Sequence, residues 1–156
     1  MMWSNRFIMI HPERTGGTVL TDAFSVLPNV SKEIYKHKHA RASIAKQIIG
    51  DTIWNSKDNI KICLYRDEDS RNNSWYYHII QSYETINNTT VLGADDDWIN
   101  FVKSHAKMSR IEFDMCCRLP PVSWYNDTKE FMLLTAKEAY NILVSITRYD
   151  PGIVVY

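Results

Sequence analysis

The chain has little of what commits a sequence to an unusual architecture. Cysteine occurs three times in 156 residues, at Cys63, Cys116 and Cys117. An odd number with two adjacent positions excludes a disulfide framework, and no C-x-x-C pair offers metal-ligand spacing, so no metal is expected. Free thiols point to a reducing compartment, and a cytoplasmic location is expected. Glycine and proline number five each, and no Ser/Gly-rich or Pro-rich stretch divides the chain. With no linker and no internal repeat, residues 1–156 read as a single domain. No apolar run approaches the roughly 20 residues that span a bilayer. The opening MMWSNRFIMIHPER is broken by Arg6 and His11, so it reads as neither a signal peptide nor an anchor, and no membrane partner is expected. Charge of one sign is missing as well: Lys+Arg 18 balance Asp+Glu 18. Non-specific nucleic-acid binding needs a basic excess that releases counterions, so no nucleic-acid partner is expected.

What is present is ordinary globular material, 45% hydrophobic and 23% charged, enough at this length to bury a core without staples. Phe7-Ile8-Met9-Ile10 is a short continuous apolar run, the form of a strand covered on both faces. A polar loop, His11 to Thr18, follows at once, and Val19, Leu20, Ala23, Phe24 and Leu27 then recur at helical spacing up to Pro28. A second helix is predicted over about 40–49, closed by Gly50. Ile60 to Tyr65 reads as a strand, and Trp75, Tyr76, Ile79, Ile80 and Tyr83 as one face of a long helix. The order β-α-α-β-α predicts an open parallel sheet with helical crossovers. Further on, Asp95-Asp96-Asp97 suits a helix start, residues 109–130 read mainly as loop, and Thr135-Ala136-Lys137-Glu138 has capping-box form ahead of a last helix. Phe131 to Leu134 and Ile153 to Tyr156 are candidate strands.

The first loop carries the chemistry. Gly16 and Gly17 between a buried strand and a helix let backbone N–H groups face an anion, and the helix N-terminus adds its dipole. Arg14 brings a permanent charge, and Thr15 and Thr18 bring hydroxyls. The same pattern also makes an ordinary Gly-Gly turn. It lacks the Lys-Ser/Thr pair of the G-x-x-x-x-G-K-[ST] phosphate loop. A second element lies at the carboxyl end of the next strand, where ligands of open α/β sheets bind. Arg66 stands there, and Ser74 follows eight residues later.

The segment Ile8-x-Ile10-His11-Pro12-Glu13-Arg14-Thr15-Gly16-Gly17-Thr18 resembles the I-x-I-P-K-T-G-G-T-S motif of sulfotransferases that use 3′-phosphoadenosine 5′-phosphosulfate (PAPS). Tyr65-Arg66-Asp67-Glu68-Asp69-Ser70-Arg71-Asn72-Asn73-Ser74-Trp75-Tyr76-Tyr77-His78 is similar to that family's V-R-N-P-Y-D-R-L-V-S-W-Y-Y-H segment. Both lie within residues 7–83, in the family's order. The resemblance implies a P-loop NTPase-like three-layer αβα fold with a small central parallel sheet. It implies that Arg14, Thr15, Gly16, Gly17 and Thr18 hold the 5′-phosphosulfate, and that Arg66 and Ser74 hold the 3′-phosphate. The implied reaction passes a sulfonyl group from PAPS to a small-molecule or carbohydrate hydroxyl and releases adenosine 3′,5′-bisphosphate (PAP).

Tyr35-Lys36-His37-Lys38-His39-Ala40-Arg41 resembles the His-containing segment that supplies the general base in uronyl sulfotransferases, with His39 the first choice and His37 the second. A Lys/His-rich turn is also a common solvated face. The chain departs from the family pattern where Arg14 stands for lysine, since a planar guanidinium cannot reproduce an ammonium's point contact. Glu13, Asp67 and Glu68 add negative charge beside the expected phosphates. Two alternatives stay open, a non-catalytic PAP- or nucleotide-binding domain of the same fold and a P-loop nucleotide-dependent kinase. A site shared across a homodimer is compatible with the short chain.

Overall fold

A computed structural model describes residues 1–88 and 95–156. The chain divides into two compact units: Met1–Asp67 with Pro121–Tyr156, and Glu68–Pro120. Composition marks no linker at either junction; one falls in the polar run after Arg66 and the other between Pro120 and Pro121.

The first unit is built on a five-stranded sheet in the order β3-β1-β2-β4-β5. Its strands are β1 (Met2–Trp3), β2 (Phe7–Ile10), β3 (Ser31–Lys32), β4 (Ile60–Leu64) and β5 (Met132–Leu134). β2, β4 and β5 run parallel, with Ile10 opposite Cys63 and Cys63 opposite Leu133. β1 pairs antiparallel with both β2 and β3. The sheet is therefore mixed, where the sequence suggested parallel strands alone. β1 and β3 are two-residue strands, too short to show a period.

The continuous apolar run of β2 is explained by burial on both faces. Phe7 and Met9, with Ile62 and Leu64 of β4, pack against Leu20 and Phe24 of α1 (Gly17–Phe24) and Ala139 and Leu143 of α8 (Ala136–Thr147). Ile8 and Ile10, with Cys63, face the other side. There they meet Ala42 and Ala45 of α2 (Ala42–Ile49), Trp54 of α3 (Asp51–Trp54), and Val122 and Tyr125 of α7 (Val122–Tyr125). Each fully buried side chain of this kind contributes about 1.5–3 kcal/mol on leaving water, which excludes polar residues from all four β2 positions. Gly50 closes α2 at φ 87°, and Thr135 and Glu138 form the expected capping box of α8.

The second unit contains α4 (Glu68–Asn88), α5 (Asp96–His105) and α6 (Arg110–Cys116) around Ile79, Val102 and Phe113. Asp95 caps α5 by accepting from the Asp97 N–H, as the acidic run suggested. Residues 109–130, expected to be mainly loop, are half helical. They hold α6, started by a Ser109–Glu112 capping box, and the short α7. Residues 153–156 form no strand. Among the described residues no helix is long and apolar enough to cross a membrane.

Candidate functional site

The site lies in the first unit, just past the carboxyl ends of the neighbouring parallel strands β2 and β4. A cavity of about 200 Å³ is lined there by His11, Arg14, Gly16, Gly17, Thr18, His39 and Arg66, together with Pro12 and Val19. A second cavity of about 180 Å³ adjoins it, sharing Gly16, Val19 and Arg66 and bounded by Thr15 and the terminal Val154-Val155-Tyr156.

The two glycines are required for different reasons. Gly16 caps α1 at φ 87°, a left-handed conformation that glycine adopts without penalty. Gly17 is required by close approach: a Cβ there would sit 2.1 Å from His11 Cγ. His11, the first residue of the polar loop, is a buried imidazole against which the loop closes. Its Nε2 lies 3.0 Å from the Met1 amino group. Burial holds His11 well below the ordinary imidazole range, and the Met1 amine, His39 and Lys38 push the same way.

Arg14 turns the loop at φ 62°, and the Arg66 guanidinium donates to the Arg14 carbonyl at 3.3 Å. Burial lowers the Arg14 pKa, and the positive charge of Arg66 lowers it further. Two guanidinium side chains thus share one cavity at the positive end of α1. Thr18 lines the same cavity. Thr15 is buried and its hydroxyl donates to the Pro12 carbonyl at 2.7 Å, so that hydroxyl braces the loop.

His39 is the member of the His-x-His pair that lines the cavity; His37 is not among the lining residues. His39 Nδ1 stands 2.8 Å from the His11 carbonyl. A carbonyl only accepts, so Nδ1 carries the proton and Nε2 keeps the lone pair in the neutral ring. Burial lowers the His39 pKa, as do Lys38 and the Met1 amine, against the raising effects of the His11 carbonyl and of Glu13. His39 is therefore mostly neutral at neutral pH.

Glu13 is not in the cavity lining. It accepts a hydrogen bond from the hydroxyl of Tyr125, which is 2% exposed on α7. The negative charge that looked adverse to a phosphate is thus held by Tyr125 and acts on His39. Nothing in the sequence marked Tyr125 as its partner, 112 residues away. Ser74 lies on α4, in the Glu68–Pro120 unit, whereas Arg66 belongs to the first unit.

Among the described residues no group of three or more His, Cys, Asp and Glu gathers as a metal cluster. No family model matches the chain, and neither a curated protein nor a solved structure matches it.

Proposed function

We propose that the chain binds a nucleotide of the PAPS type at the β2–α1 loop and transfers its sulfonyl group to a hydroxyl acceptor. The observation that carries this reading is the pairing of Arg14 and Arg66 on one cavity beside the α1 N-terminus, with a tautomer-fixed His39 on the same wall. Two mutually repelling guanidinium groups in a half-enclosed site are an arrangement that an anion stabilises. The cavity of about 200 Å³ and the adjoining one of about 180 Å³ share Gly16, Val19 and Arg66. The P-loop-like three-layer fold belongs to the same proposal, supported by the loop's position between β2 and α1 and by helices on both faces of the sheet. Three free cysteines fit the reducing cytoplasm that the reading assumes.

In this scheme the acceptor oxygen attacks sulfur, and its proton passes to His39 Nε2. The bond from sulfur to the bridging phosphate oxygen breaks, and that oxygen keeps the electron pair as PAP leaves. Arg14 and the loop N–H groups stabilise the charge that develops there. One substitution favours a second reading, binding without turnover: Arg14 stands where the family has lysine.

Calorimetric titration with PAP and ADP tests the binding step. PAP should bind more tightly than ADP, and Arg66→Ala should abolish the difference; equal affinities would refute the 3′-phosphate assignment. Transfer of labelled sulfonyl from PAPS to a panel of hydroxyl acceptors then separates the enzyme from a domain that binds PAP and does nothing more.

A further inference from the structure

The sequence suggests that Cys116 and Cys117 are small buried hydrophobes. The structure instead leaves Cys116 exposed and Cys117 half-buried, both as free thiols. Cys116 Sγ lies 3.7 Å from Cys117 Sγ and 3.7 Å from the thioether sulfur of Met108. We propose that Met108, Cys116 and Cys117 form a three-sulfur site for a soft monovalent cation, Cu(I). The site lies wholly in the Glu68–Pro120 unit and does not depend on the proposed function of the other unit.

Metal–sulfur bonds of about 2.3 Å put neighbouring sulfurs about 3.8 Å apart in a tetrahedral shell and about 4.0 Å apart in a trigonal one. The two separations from Cys116 are within a few tenths of an ångström of these values, and the unbranched Met108 side chain can swing its sulfur to complete the shell. A disulfide would need the two cysteine sulfurs at about 2.05 Å.

The scaffold fixes the ligands before any ion arrives. The Ser109–Glu112 capping box starts α6 directly after Met108, and the helix runs to Cys116. Cys117 is tied through its carbonyl, which accepts from Trp75 Nε1 at 3.2 Å, and Met108 and Cys117 both pack on the Ile79, Val102 and Phe113 core.

Two thiolates and a thioether are soft donors that select Cu(I). Zinc favours a closed set of four Cys or His ligands, and Met is outside that set. The step balances as one Cu(I) bound, two S–H bonds broken and two protons released to solvent, with no change of oxidation state.

The test is anaerobic titration of the full chain with Cu(I) against a chromophoric Cu(I) chelator, followed by X-ray absorption at the copper edge. One equivalent should be withdrawn, with sulfur neighbours near 2.3 Å. Cys116→Ser should lower affinity at least a hundredfold, and Met108→Leu, which conserves volume, at least tenfold. Cys63→Ala should leave affinity unchanged, and a far-UV spectrum checks that each variant is folded. Failure to withdraw copper, equal binding by folded Cys116→Ser, or unchanged affinity in folded Met108→Leu would each overturn the proposal.

Discussion

Gly17→Ala should destabilise the protein, and the effect should change sign when His11 is removed. In the native loop the new Cβ falls 2.1 Å from His11 Cγ, 2.2 Å from its Cβ and 2.4 Å from its Nδ1. Ordinary contact begins near 3.4 Å, so the His11 side chain, its Cβ included, must retreat by about 1.3 Å. It has little room, because His11 is 1% exposed, its Nε2 meets the Met1 amine and its carbonyl accepts from His39. Overpacking of a closed core costs about 1–3 kcal/mol. Against this, Ala in place of Gly restricts the unfolded chain and returns about 0.4–1 kcal/mol. The net expectation is a loss of about 1–2 kcal/mol. His11→Gly, which removes the Cβ as well as the ring, opens space and destabilises by itself, but Gly17→Ala made on that background should stabilise by up to about 1 kcal/mol. Urea denaturation of the four proteins closes the cycle without any ligand, and the coupling between the two sites should be about 2 kcal/mol. If Gly17→Ala is neutral in the native background, or equally harmful in both, close approach to His11 is not why glycine stands there.

Burial of His11 also makes stability depend on pH. Its folded pKa lies below the unfolded value, so the unfolded chain takes up a proton that the folded chain refuses, and stability falls as pH drops through about 6.5. Urea denaturation between pH 7.5 and 5.5 should show the loss, and His11→Gln should reduce it; the buried Met1 amine, lowered to about 5, supplies the remainder. Glu13→Gln removes the charge that raises the His39 pKa, so the imidazole titration followed by NMR should move to lower pH; an unmoved midpoint would break the Glu13–His39 link. Tyr125→Phe deletes the hydrogen bond to the Glu13 carboxylate and should cost about 1–2 kcal/mol in thermal or urea unfolding. His39→Gln should abolish sulfonyl transfer while leaving PAP affinity within about twofold, and loss of both would mean that His39 binds rather than accepts a proton.

The parts of the fold legible in the sequence were those in which one local signal decides the structure. The β2 run is apolar at every position because both faces are covered, and capping residues announced α5 and α8. α6 starts at a Ser109–Glu112 capping box, but its seven residues are followed closely by Pro120-Pro121, a pair that marks the stretch as loop in sequence. β1 and β3 could not be seen, since two-residue strands exist only through their partners. The junctions of the two units escaped for a related reason: they show in how the chain packs, and composition hardly changes across them.

In the site, sequence order supplied the loop, Arg66 and His39 but not the contacts that set their behaviour. The same residue types acquire different roles from their surroundings. Thr18 faces the cavity whereas the Thr15 hydroxyl is spent on Pro12, and His39 lines the wall whereas His11 is the floor against which Gly17 closes. Glu13 shows the limit most clearly. Next to a phosphate loop in sequence, its charge reads as repulsive. Held by Tyr125 and acting on His39, it opposes the burial that would otherwise depress the imidazole still further. A base that must accept a proton near neutrality needs both influences: burial to keep it unprotonated beforehand, and a nearby negative charge to make the proton welcome once transferred. The chain is neutral in total, and its candidate chemistry rests on keeping unlike charges close together, with two arginines facing the cavity and the carboxylate set outside its lining.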